Sequence, residues 1–153
     1  MPKPFNIKES LYNYCMQYVE ERIARIQNEI DLQQEAANEE TKSSAGDKYE
    51  TGRAMAQLEI ERNAAQLKEA EKLRSFLQSI VRESTSEVII QGSLVTTSKG
   101  VFYIAISIGA ITLHQQSYFI VSPDSPIGKL LLGKKVGETM MWKNERYNIM
   151  KVE

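Results

Sequence analysis

Apolar side chains in the first half of the chain recur every four and three residues. Tyr12, Met16, Val19, Ile23, Ile26, Ile30, Gln33 and Ala37 form one series, with Glu20, Glu21, Arg22, Arg25 and Glu29 between its members. That repeat is the period of helices packed along a seam. A second series runs through Ala56, Ile60, Asn63, Leu67, Ala70, Leu73 or Arg74, Leu77 and Val81. Asn63 is its polar intrusion, a residue of the kind that fixes register at some cost in stability. Neither helix can bury its stripe alone. The break between them is short, so the pattern predicts an antiparallel helical hairpin, a rod of roughly 45 Å at ~1.5 Å per residue. A parallel dimeric coiled coil would satisfy the same pattern.

Near Ser84 the period changes. Glu87–Ser93, Leu94–Thr97, Val101–Ile108 and Gln116–Val121 are rich in Val, Ile, Tyr and Phe and read as strands. Met140–Trp142 and Tyr147–Val152 predict a last hairpin around Lys143–Arg146. One short helix interrupts them: Ser125 is a suitable N-cap, Pro126 suits the first helical position, Ile127–Leu132 form the body and Gly133 the stop. The fold class is therefore α+β. A helical hairpin over 1–83 would be joined through "RESTSE" (82–87) to a small sheet domain with one short helix over 84–153.

Composition narrows the chemistry more than it adds to the fold. In 153 residues, hydrophobic content is 42%, charged content 25% and net charge −1, so nothing global draws the chain to nucleic acid or to membranes. No apolar run approaches the ~20 residues of a bilayer span. The start, MPKPFNIKES, lacks a signal-peptide core, and the lone Cys15 suits a reducing compartment; a cytoplasmic protein is expected. With one Cys and one His, a Cys/His zinc cluster within the chain is excluded. His114, in ITLHQQSYFIV, reads as a structural or surface residue of a strand or strand edge. Catalytic groups, if the chain contributes any, would be carboxylates. "GKLLLGKK" (128–135) nearly copies a phosphate-binding loop, but Lys135 stands where the magnesium-binding hydroxyl belongs and the helix fills the loop instead of following it.

Between the two helical series, apolar residues nearly vanish. Ser43, Ser44 and Gly46 mark a turn, and Glu35, Glu39, Glu40, Asp47 and Glu50 lie in or beside it, an acidic tip near 39–50. Asp47 with Glu50 three residues on reads as a capping box at a helix start. The same spacing sets two hard oxygen ligands near one another, and magnesium commonly takes only one or two protein carboxylates. Two acids at a rod's end make a poor metal site alone, but can complete one inside a partner.

Both halves resemble the bacterial Gre transcript-cleavage factors, which pair an N-terminal coiled-coil hairpin with a C-terminal domain of FKBP-like fold. "SPDSPIGKLLLGKKVGE" (122–138) resembles the family signature S-P-[IL]-[GA]-[KR]-x-L-[LI]-G-K-[KR]-x-G-[DE], and "GDKYE" (46–50) resembles the tip pattern G-D-x-x-E-N. The resemblance implies a partner, bacterial RNA polymerase, with the hairpin in its secondary channel. It implies that Asp47 and Glu50, the catalytic acids, help to hold a magnesium ion shared with the polymerase near the RNA 3′ end, so that backtracked RNA is cut. It implies that Asp124, Ser125 and Pro126 contact the polymerase coiled coil. The factor would be an accessory and not an enzyme by itself, acting as a monomer, with any DNA contact indirect. Lys42, Lys48 and Arg53 near the tip are the candidates for RNA or phosphate contacts, with ordinary solvated charges as the commoner reading. The family continues Asn-Ala-Glu-Tyr after the second acid, where this chain has Thr51-Gly52-Arg53-Ala54. That departure leaves open a regulator that occupies the channel without promoting cleavage. From another class, a coiled-coil adaptor or chaperone with an FKBP-like protein-binding domain fits the same elements; prolyl isomerase activity does not follow from the fold.

Overall fold

A computed structural model describes residues 6–42, 46–82 and 85–153, with side chains described outside 40–50. The order is α1 (Ile7–Lys42), α2 (Gly46–Ser79), β1 (Leu94–Thr97), β2 (Gly100–Ile104), β3 (Gly109–Leu113), β4 (Gln116–Val121), α3 (Pro126–Leu131), β5 (Thr139–Trp142) and β6 (Glu145–Val152). This is the expected α+β arrangement. The elements fall into two compact units: Gln17–Ser75, and a unit assembled from two chain segments, Met1–Met16 and Phe76–Glu153.

In the helical unit the predicted seams are the covered positions. Val19 and Ala37 are buried, and Ile23, Ile26, Ile30 and Gln33 half-buried, while the interleaved Glu20, Glu21, Arg25 and Glu29 are exposed. On α2, Ala56, Ile60, Asn63 and Leu67 are half-buried and Ala70 is fully buried. The polar members of the two seams meet: Asn63 Nδ2 donates to Gln33 Oε1 at 2.9 Å, part-buried and thirty residues apart in sequence. This pairing within one chain is that of a hairpin, so the parallel dimer is not needed to cover the seam. Exposed pairs such as Arg62–Glu59 and Lys72–Glu69 decorate the outside and contribute little to stability.

The second unit is a six-stranded sheet in the order β3-β4-β2-β1-β6-β5, antiparallel except for the β2–β4 pair. One face carries the main core, Ile89, Val95, Phe102, Ile104, Leu131, Met140 and Ile149, with Phe102 stacked on Phe119 at 5.3 Å between centroids. Residues from the helix ends meet the other face. Leu11, Cys15 and Leu77 are fully buried, Ile80 abuts Gly92, and the Arg82 guanidinium lies 4.7 Å above the Tyr12 ring. Burial there pushes the Cys15 thiol up to about 12 and raises Tyr103 further, with Cys15 and Tyr12 as close neighbours.

Four local expectations are corrected. Glu87–Ser93 is not a strand: only an isolated bridge joins Val88 to Lys135. The Ser93 side chain takes the Ile90 N–H at 2.9 Å and Gly92 turns the chain at φ +88, so local bonds replace a ladder. Val101–Ile108 is not one strand, because β2 ends at Ile104 and a separate strand, β3, starts at Gly109 (φ +100) and pairs with β4. The turn between them is His114-Gln115, at φ +49 and +67, so His114 is an exposed turn residue. The last hairpin likewise turns on two residues, Lys143-Asn144, with Trp142 paired to Glu145. Finally, α2 stops at Ser79, so Ile80 is the buried residue and Val81, predicted for the seam, is 69% exposed.

Candidate functional site

The acidic candidates lie at the start of α2. The helical backbone begins at Gly46, so Asp47 and Glu50 are three positions apart inside the first turns. Their side chains, with those of Glu40, Lys42 and Lys48, and residues 43–45, lie outside the described residues, and the capping box rests on them. Helical backbone continues through Thr51 and Gly52, so the glycine is accommodated without a break, at a cost of about 1 kcal/mol relative to Ala. Glu35, Glu39 and Arg53 are exposed nearby in sequence. As a donor set, two carboxylates one helical turn apart match the hard oxygen preference of magnesium but supply only part of its shell. Among the described residues no group of three or more His, Cys, Asp or Glu could hold a metal.

The other candidate is the turn entering α3, where the structure shows how an exposed tripeptide is fixed. Ser125 is the N-cap, with extended backbone, and its Oγ accepts the Gly128 N–H at 3.0 Å. The same hydroxyl donates to the Ser122 carbonyl at 2.7 Å. The Ser125 N–H reaches both the Ser122 Oγ at 3.1 Å and the Ser122 carbonyl at 3.2 Å. Ser125 thus ties the chain three residues back to the chain three residues ahead. Within that clamp Asp124 and Pro126 are exposed and Ser125 half-buried. Of the three residues proposed from sequence, two face solvent and the third holds them there.

Sequence reasoning missed Ser122 and Gly128. A Cβ at Gly128 would run into the Ser122 carbonyl and come within 2.9 Å of Ser125 Oγ, so the helix start approaches the preceding strand end more closely than a side chain allows. The regular spacing of Ser122, Ser125 and Gly128 was the available signal. After the helix, Gly133 (φ +83) turns the chain, and its N–H bonds the Ile89 carbonyl at 3.0 Å.

A helical hairpin with acids at the start of its second helix, and a mixed sheet unit with a clamped, exposed Asp-Ser-Pro turn, define an α+β protein. Residues 111–153 match the family model described as transcription elongation factor, GreA/GreB, C-terminal. That stretch runs through β3 to β6 and contains the clamped turn; over it the chain is GreA/GreB-like. Among solved structures, that of the transcription factor Gfh1 is similar at 21% identity over 90% of this chain and 92% of that one, with a TM-score of 0.37. A search of curated protein sequences returns no match. Among the described residues no helix is long and apolar enough to cross a membrane.

Proposed function

We propose that this chain is a transcription elongation factor of the GreA/GreB type that binds RNA polymerase through the secondary channel and stimulates the polymerase's own cleavage of backtracked RNA. The observation that carries the reading is the GreA/GreB match over 111–153, on the segment that presents Asp124 and Pro126 from a Ser125 clamp. In this reading the turn docks on the polymerase coiled coil, one copy per polymerase. Asp47 and Glu50 hold a magnesium ion jointly with the polymerase near the RNA 3′ end. When bound, such an ion would supply Lewis-acid charge stabilisation at the reacting oxygens and make the attacking water more acidic. The chain's part is to aim two carboxylates, so it is an accessory factor and not an enzyme alone.

A second reading is favoured by Thr51-Gly52, which stand where the family has Asn-Ala: a factor that occupies the channel without promoting cleavage. One assay separates the two. Backtracked elongation complexes from the cognate organism are incubated with wild-type protein or with Asp47→Ala/Glu50→Ala, with helicity measured alongside. Magnesium-dependent RNA shortening by wild type and not by the double variant is the expected outcome. Binding without shortening by wild type establishes the regulator, and absence of binding refutes both.

A further inference from the structure

The two edges of the sheet are treated differently by the sequence. The β5 edge is flanked by Glu138, Lys143, Glu145 and Arg146, charges of the kind that guard an open strand. The β3 edge has no such guard. Between Lys99 and Asp124 the chain carries no Asp, Glu, Lys or Arg, and β3 itself is Gly-Ala-Ile-Thr-Leu. Gly109, Ala110 and Thr112 are exposed, with Ile111 and Leu113 half-buried.

The β3–β4 register shows which backbone groups are open. A two-residue turn makes its flanking residues, Leu113 and Gln116, a hydrogen-bonded pair, and such pairs alternate along an antiparallel ladder. Ile111 and Gly109 therefore bond to Tyr118 and Ile120, and the N–H and C=O groups of Ala110 and Thr112 point away from the sheet. We propose that β3 is a strand-addition site through which two copies of this chain associate edge to edge, about a two-fold axis at Ile111.

The edge is its own complement. Placing β3 antiparallel to a second β3 with Ile111 opposite Ile111 sets Ala110 opposite Thr112 on both sides of the axis. Those are the residues whose backbone groups are open, so each pair exchanges two hydrogen bonds, as an isologous interface requires. The two isoleucines then form the close non-hydrogen-bonded pair, in which side chains approach most nearly. No charged side chain of either strand opposes another, so the edge has no electrostatic term against its own copy. Two five-residue strands cover far less than the roughly 1,200 Å² of a stable specific interface. The association is accordingly weak, with a dissociation constant on the order of 0.1–1 mM.

The test is sedimentation of the full chain from about 10 μM to about 1 mM, with amide hydrogen exchange at both ends of that range. Growth of a dimer is expected, together with slower exchange at Ala110 and Thr112 and unchanged exchange at Ile111 and Leu113. Thr112→Pro removes an outward N–H and no β3–β4 bond, and weakens association about tenfold or more. Ala110→Lys places a guard charge on an exposed position and has the same effect; it carries the test should the proline variant misfold. A chain that stays monomeric throughout overturns the proposal. So does a dimer that Ala110→Lys leaves intact, or protection of Ala110 and Thr112 already complete at the lowest concentration.

Discussion

Replacing Ser125 by Ala removes one oxygen that makes two bonds, at 2.7 Å to the Ser122 carbonyl and at 3.0 Å from the Gly128 N–H. Loss of an N-cap costs about 1 kcal/mol, and loss of the donated bond a further ~1 kcal/mol net. The Ser122 carbonyl keeps the Ser125 N–H at 3.2 Å, and the site is half-buried, so water offsets part of the loss. After that offset the expected destabilisation is about 1.5 kcal/mol. Trp142, the sole tryptophan, is half-buried in β5 and reports on the sheet unit by fluorescence. With a urea m-value of about 2 kcal/mol/M, the midpoint falls by about 0.7 M at unchanged m. Ser125→Thr keeps the hydroxyl and recovers most of the shift. A loss under about 0.5 kcal/mol in Ser125→Ala would refute the clamp as a stabilising device. It would also remove the reason given for the fixed presentation of Asp124 and Pro126.

Asn63 and Gln33 couple in a double-mutant cycle to Ala by about 0.5–1.5 kcal/mol, read from helix signal against urea; additive single effects would show that the bond does not set the register. The buried Cys15 thiol keeps its proton to about pH 12, against a usual value of 9.0. Unfolding above pH 9 releases that proton, so stability is full below pH 9 and declines as pH rises toward 12. Tyr103 acts in the same direction. Cys15→Ala flattens the decline in denaturation midpoints measured at stepped pH, and an unchanged slope would contradict the buried-thiol account.

What could be read in advance followed from how local each signal was. The seams were legible because a helix repeats its covered face every three or four residues, and a single misfit, Val81, arises where the helix ends and the period with it. The short helix was legible because cap, proline and terminal glycine act within a few residues of one another. The β3–β4 hairpin was not, because His114-Gln115 lacks the Asn or Gly that usually marks two positive-φ turn residues. The run from Gly100 to Pro123 holds no Asp, Glu, Lys or Arg, so no charged residue marks where its strands divide. Ser122 and Gly128 escaped because their role depends on the approach of two backbone segments in space. At the tip, the family resemblance drew attention to Asp47 and Glu50, while the backbone adds that positions 47 and 50 are separated by one helical turn.

The sheet unit is closed by two segments, Met1–Met16 and Phe76–Glu153, and everything between them forms the other unit. In topological terms the hairpin is an insertion whose two ends are anchored in one host. Its length is then free to vary without disturbing what the host buries, provided both helices change together. One heptad added to each alters the reach by about 10 Å while keeping seam opposite seam. Hairpin length and sheet surface are thereby separable properties, one set by counting heptads and the other by the residues of the sheet unit.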